Sequence, residues 1–314
     1  MVADLTGAAG LRIALTGATG FVGQAVLEAA TAAGVQVRAL ARRVPEKEPP
    51  RGVRYVQGDL ADRTALTELT GGADAVIHVA GLTRTLDPAE FEDVNVLGTQ
   101  TVLEAVRAAG ARRFIFVSSL SAREPRLSAY GASKARAEML VRASGLDWMV
   151  VRPPAVYGPH DAEMFELFKA AAKFNVVPLP PRGRASLIHV DDLARLLLVL
   201  AGTSVVGEVL EPDDAHPQGY AHDELARMIG RAVGRDRVLA PHLPAAALLL
   251  AAKADGLLRG NKAKLTPDRA RYMSHSNWVV RAECRPLPTL WQPQISAEQG
   301  LARTAAWYRA EGWL

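Results

Sequence analysis

Cysteine is nearly missing. Cys284 is the only one in 314 residues, which excludes an internal disulfide framework and a cysteine-rich metal site and fits a reducing compartment. Long apolar runs are missing too. The most apolar stretch, Ala245–Ala252, ends at Lys253 and Asp255, far short of the roughly 20 residues a membrane span needs. The N-terminus passes acidic Asp4 into a glycine-rich strand–turn without a leader pattern, so a cytoplasmic location is expected. No single sign of charge dominates. Lys plus Arg number 37 against 33 for Asp plus Glu, giving +4 at pH 7, and the cations are scattered, which argues against a nucleic-acid partner. Internal repeats and low-complexity tracts are absent. What remains is a globular composition, 49% hydrophobic and 22% charged. The length suits two folding units, or one large α/β body with an appended lobe.

The first half alternates two periods. Apolar runs at Leu11–Leu15, Val35–Leu40, Val53–Val56, Ala75–Val79, Arg113–Val117 and Trp148–Arg152 predict strands. Helical spacing falls between them at Phe21–Ala33, Arg63–Leu69, Phe91–Ala109 and Tyr130–Ala143. Nearly all-apolar strands alternating with helices predict an α/β fold: a Rossmann-type doubly wound parallel sheet covered on both faces. After Arg152 prolines punctuate the chain, Val177–Arg184 reads as a loop, and helices are expected at Asp191–Leu200, His222–Ala232, Leu243–Leu258 and Ala297–Tyr308. Residues 1–155 thus form the expected nucleotide-binding domain, with about 185–210 returning to it. Residues 156–314 form a smaller, mostly helical substrate lobe.

Thr16-Gly17-Ala18-Thr19-Gly20-Phe21-Val22-Gly23 places three glycines directly after a strand and at the start of a helix. Gly17 permits the tight turn, Gly20 lets backbone approach a pyrophosphate, and Gly23 allows helix and strand to pack closely. The helix N-terminus adds N–H donors. An ordinary glycine-containing turn is the bland alternative; the strand–turn–helix setting favours dinucleotide binding. Tyr130 and Lys134 are four apart and so share a helix face.

From these motifs onward the chain resembles the extended or atypical short-chain dehydrogenase/reductase family, the NAD-dependent epimerase/dehydratase-like proteins. Asp59-Leu60, Val79-Ala80-Gly81, Asn95, Ser119, Tyr130-Gly131-Ala132-Ser133-Lys134 and Arg152–Pro159 follow in the family's order, and Trp291-Gln292-Pro293 resembles its closing segment. The resemblance implies that Asp59 and Leu60 meet adenine, and that Val79, Ala80 and Gly81 lie beside the nicotinamide ribose. Pro153 and Val156 complete the cofactor site, and Asn95 props the site. It further implies that Tyr130 is the acid–base group, Lys134 lowers its pKa and bonds the ribose, and Ser119 fixes the substrate oxygen. Shifting a tyrosine from near 10 toward 7 needs on the order of 4 kcal/mol. A neighbouring ammonium is suited to that task.

NAD-selective relatives place a carboxylate at the end of the second strand. Here Ala41 is followed by Arg42 and Arg43, so NADP is the expected cofactor, with NAD the alternative. Thr83, Arg84 and Arg184 are candidate substrate contacts, and no metal is expected: His189 with Asp191–Asp192 reads as a structural and capping segment. The loop between Ser119 and Tyr130 is short and charged (Arg123, Glu124, Arg126), and Ala185 stands where nucleotide-sugar enzymes carry an arginine. The expected activity is therefore hydride transfer between NAD(P) and a carbonyl or secondary alcohol on a small-molecule substrate. The alternatives are an epimerase or dehydratase with tightly held NAD(P), and a non-catalytic binder resembling complex I accessory subunits. The resemblance also implies a homodimer that packs Phe91–Ala109 and Tyr130–Ala143 of two copies, with Val94, Leu97, Val102, Val106, Met139 and Leu140 in the seam, although sheet packing explains the same residues.

Overall fold

The computed structural model describes residues 10–260 and 263–314. The first half runs β1 (Arg12–Thr16), α1 (Phe21–Ala32), β2 (Gln36–Ala41), β3 (Val53–Gln57), α2 (Arg63–Thr70) and β4 (Ala75–His78). It continues through α3 (Ala89–Phe91), α4 (Gly98–Ala108), β5 (Arg113–Val117), α5 (Ala129–Arg142) and β6 (Asp147–Val151). The remaining chain holds β7 (Ala155–Tyr157), α6 (Phe165–Phe174), β8 (Arg184–Ala185), β9 (Leu187–His189), α7 (Val190–Gly202), β10 (Glu208–Leu210) and β11 (Tyr220–Ala221). It closes with α8 (His222–Ala232), α9 (Ala245–Arg259), α10 (Pro267–Met273), β12 (Asn277–Trp278) and α11 (Ala297–Ala310).

Seven strands form one parallel sheet in the order β10-β6-β5-β4-β1-β2-β3. The period of two divides each central strand between two apolar layers. Ile13, Leu15, Ile77, Ile115 and Val117 face the layer filled by Val26 and Ala30 of α1 and Leu193 and Leu197 of α7. Ala14, Val76, Phe114 and Phe116 face Leu66, Leu69, Val102, Val106 and Val141 of the helices opposite. Of the residues expected to seam a dimer, Val102 and Val106 are therefore spent on the core, whereas Leu97 and Met139 are exposed.

One expected helix is broken. Phe91–Ala109 reads as a single helix by its apolar spacing, but the structure splits it into α3, a π-helical segment over Glu92–Leu97, and α4. The wide turn carries Asn95 inward. Such local widening often accompanies a functional site.

After β6 the chain builds a lobe around Tyr157, Phe168, Leu187, Ile229, Leu301 and Tyr308. It carries a three-stranded sheet, β11-β8-β12, whose strands are two residues long. α7 packs back under the main sheet and β10 joins β6 at its edge. Buried Arg113 of β5 fixes this return, donating to Leu200 O at 2.8 and 2.6 Å and to Val205 O at 2.5 Å. A second buried tie begins at Glu138 of α5. It accepts from Ser118 (2.6 Å) and, through both oxygens, from Arg152 (2.8 and 2.6 Å). Arg152 lies 3.7 Å from buried Glu211, which also lies 3.5 Å from Arg123.

Candidate active site

The glycines are placed by necessity. Gly17 has φ +74°, and a Cβ there would lie 2.6 Å from Ala80 N. At Gly23 a Cβ would lie 2.0 Å from Gly17 O, so only glycine lets α1 close on the turn. Gly20 is different: its Cβ would meet only Gly17 O, at 3.3 Å. It stands at the N-terminus of α1 with no side-chain cap and no acidic residue in the first turn. The donors beside Phe21 and Val22 are thus left to an outside acceptor, and the positive helix end favours an anion. Thr19 is exposed on the rim of this turn.

At the ends of β2 and β3, Arg42, Gln57, Gly58, Asp59 and Asp62 line an open cleft of about 490 Å³. Asp59 accepts from Ala61 N (2.9 Å) and Asp62 N (3.1 Å), and Asp62 caps α2 through Ala65 N. Leu60 packs on Gly98, where a Cβ would lie 2.8 Å from its Cδ1. Arg42 and Arg43 are exposed and have no carboxylate partner among the described residues.

The end of β4 is held by a directed chain of hydrogen bonds. Thr99 donates to Asn95 O (2.7 Å), so its oxygen accepts from His78 Nε2 (3.0 Å). His78 Nδ1 then accepts from Thr16 Oγ1 (2.6 Å), which itself accepts from Ala80 N (3.2 Å). His78 is buried, and burial, helped by the Lys134 charge, pushes its pKa down to about 3. Asn95 fixes the following loop, accepting from Leu82 N (2.7 Å) and donating to Leu82 O (3.0 Å) and Ser133 Oγ (2.9 Å). Val79 and Ala80 are half-buried there. Gly81, Thr83 and Arg84 are exposed beyond them.

α5 brings Tyr130 and Lys134 to the same mouth. Ser128 caps its start through Gly131 N (2.9 Å), and Gly131 lets the helix sit against Ser121 O, where a Cβ would lie 2.6 Å away. Ser119 acts on the Tyr130 phenol, opposing the effect of its burial. Ser119 accepts from Ser121 N (3.2 Å) and Ser121 Oγ (2.9 Å), which leaves its own proton for an oxygen in front of it. Pro153 O anchors the same turn by accepting from Leu120 N (3.0 Å), with half-buried Val156 beyond. Lys134 Nζ is buried, donates to Val117 O (2.8 Å) and lies 4.5 Å from the Phe116 ring centre. Burial pushes its pKa down to about 8, with Glu138 opposing. Burial drives the Tyr130 phenol upward, opposed by Ser119 and the Arg269 charge.

The lobe supplies residues that sequence spacing missed. Asp268 of α10 accepts from Ala129 N (2.6 Å) and Tyr130 N (3.2 Å). Arg269 pairs with Glu163 at 2.7 Å, and its charge favours ionisation of the Tyr272 phenol, whose ring lies 6.3 Å from that of Tyr130. Arg184 is committed elsewhere, donating to Gln218 O and Gly219 O at 2.8 Å each. Arg123 is likewise spent, on Val279 O and Asn277 O. No cluster of metal-ligating side chains occurs among the described residues.

A phosphate-accepting glycine turn facing a Ser–Tyr–Lys mouth across a doubly wound sheet defines a nucleotide-dependent redox enzyme. Residues 13–211 match the NAD dependent epimerase/dehydratase family, and the chain belongs to it. It is 39% identical over 309 residues, 96% of each chain, to a ceramide reductase of Caulobacter vibrioides. It is 28% identical to a 2-alkyl-3-oxoalkanoate reductase of Stenotrophomonas maltophilia, covering 94% of this chain and 99% of the relative. The fold is also that of a dTDP-glucose 4,6-dehydratase from Streptomyces venezuelae (TM-score 0.72, 22% identity, 96% and 98% of the two chains).

Proposed function

We propose that the protein is an NADPH-dependent reductase of a ketone carried on a long-chain, lipid-like molecule. The carrying observation is Ser119, held by two bonds from Ser121 and acting on the Tyr130 phenol. Two hydroxyls at one mouth suit a carbonyl oxygen that becomes an alcohol. The constrained Gly17 turn and the uncapped start of α1 fit a dinucleotide pyrophosphate. Arg42 and Arg43 would hold a 2′-phosphate, Asp59 and Leu60 the adenine end, and Val79–Gly81 with Lys134 the nicotinamide ribose. The bound dinucleotide supplies the hydride. Tyr130 gives its proton to the substrate oxygen while Ser119 holds that oxygen. Lys134 stays positioned by Val117 O, and Asn95 keeps the loop after β4 in place.

Two features favour a lipid-like ketone over a nucleotide sugar. A cleft of about 560 Å³ beside α5 is walled by Leu86, Pro88, Phe91, Leu127 and Pro267, and the Phe91 ring lies 5.8 Å from that of Tyr130. Arg184, the cation nearest the family's diphosphate position, is occupied by backbone carbonyls. The ceramide reductase and the oxoalkanoate reductase supply the chemical precedent. The test is cofactor oxidation with long-chain β-keto amides, β-keto acids and nucleotide sugars, each with NADPH and NADH. Reduction of a long-chain ketone with NADPH preferred is expected. Turnover of a nucleotide sugar alone would reject the substrate class, and a preference for NADH would reject the role of Arg42 and Arg43.

A further inference from the structure

Helix α9 leaves an apolar face uncovered. Only Leu248 and Ala252 of its 15 residues are buried, where they pack on Ala270 of α10. On the opposite side Leu250, Leu257 and Leu258 are 70%, 89% and 84% exposed, with Ala247 and Ala254 between them. Their spacing of three, four and seven residues aligns them in one stripe along the helix. Three neighbouring leucines in water are an interaction surface rather than scattered exposure.

The exposed charge on α9 itself has one sign, although Asp87 and Glu90 are exposed beyond Leu86. The exposed residues of α9 include Lys253 and Arg259 but no carboxylate. Asp255, the helix's one acid, is turned to Lys264 N and Leu265 N (2.8 and 2.9 Å) and pairs with Arg259 at 3.2 Å. Lys253 has no carboxylate partner among the described residues, and neither do Arg126 and Arg271 on the cleft wall. The stripe also lies beside the cleft. Gly256 faces Leu86 of the cleft wall, with 3.7 Å from its Cβ position to Leu86 Cδ2. Beneath α9, α10 contributes Asp268 to the N-terminus of the helix that carries Tyr130.

We propose that the outer face of α9 seats the protein on an anionic lipid surface, with the leucines in the acyl boundary and Lys253 and the cleft arginines at the headgroups. An apolar stripe bordered on its own helix by unpaired Lys253 suits that interface, and suits a second copy of itself less well because the lysines would then face one another. A long-chain ketone could then pass from the bilayer edge along Leu86 into the cleft beside Tyr130. The surface takes this purpose from the lipid-ketone reading above, on which it depends.

Sedimentation of the full chain with vesicles tests it, using phosphatidylcholine alone and phosphatidylcholine containing one-third phosphatidylglycerol. The protein is expected on the anionic vesicles and to leave them at high salt. The Leu250→Ser/Leu257→Ser/Leu258→Ser variant should bind about tenfold more weakly or worse, and Lys253→Glu should weaken anionic binding alone. The triple variant should reduce a water-soluble short-chain ketone at the normal rate and lose at least as much rate on a vesicle-borne one. Wild-type protein that ignores vesicles, or a triple variant that binds them normally, overturns the proposal. So does light scattering that finds a wild-type dimer and a monomeric triple variant, because a second copy then covers the face. Ketone reduction without vesicle binding overturns the docking surface alone. Vesicle binding without reduction of any ketone upholds the surface and overturns the functional reading.

Discussion

His78 carries its proton on Nε2, because Thr99 is already donating to Asn95 O and can only accept from the ring. The ring is held neutral with a pKa near 3, far below its ordinary value. In the unfolded chain it protonates at its ordinary value, so its contribution to stability is whole above that pH. The contribution is lost as pH falls toward 3, with a slope approaching about 1.4 kcal/mol per pH unit. Urea unfolding between pH 7 and pH 4 should show this loss. His78→Gln should start less stable and lack that part of the slope; an identical slope would place the acid sensitivity elsewhere. Tyr130→Phe removes the one exchangeable proton and keeps the ring, so turnover of a ketone should fall about 10²–10⁴-fold. Cofactor affinity, read by fluorescence titration, should change little. Tyr130 and Lys134 share a helix face by their spacing, whereas Ser119 drew notice only through the family's ordered motifs. Ser121 hides behind Ser119, and Arg269, Glu163 and Tyr272 arrive from distant segments, so no spacing announces them.

The turn before α1 separates two glycines by what surrounds them. Gly23→Ala would push a methyl to within 2.0 Å of Gly17 O, so α1 must move. A loss of about 1–3 kcal/mol and weaker dinucleotide binding are expected. Gly20→Ala meets only one oxygen at 3.3 Å, so it should melt near the wild-type temperature yet still bind the dinucleotide more weakly. Thermal melts paired with titrations distinguish the two, and equal melting temperatures would refute the steric account. Strands and helices of the first half were legible to within a residue or two because each keeps one period. The π-helical segment was not, since Phe91, Val94, Val102 and Val106 still fall on one face of a continuous helix. The lobe's two-residue strands are too short to show any alternation.

Glu138 ties the sheet to the residues that follow it. It is 3% exposed and its partner Arg152 is 14% exposed, so the pair is little screened by water. Glu138→Gln leaves Arg152 short of a counter-charge in the interior, and a cost of about 3–5 kcal/mol is expected from chemical denaturation. A loss under about 1 kcal/mol, typical of a surface pair, would show that Glu211 alone neutralises Arg152. The change of architecture after Arg152 coincides with the prolines that follow it. The ties across it were not legible, because Arg113 and Arg123 bond main-chain carbonyls that have no signature in a sequence.

The route of the chain between the halves has a mechanical consequence. It leaves the main sheet after β6, comes back through β9 and α7 to β10, and leaves again beyond Leu210. Each passage is fastened, by the β7–β9 pairing, by Arg113 on the end of α7, and by Glu211 on Arg152. A cover hung on one strap can swing, whereas one laced at three places can only flex at its edges. On the function proposed above, substrate and product would exchange through the rim, where exposed Leu86 borders the opening, and side chains there, rather than a rotation of one half against the other, would set the pace of that exchange.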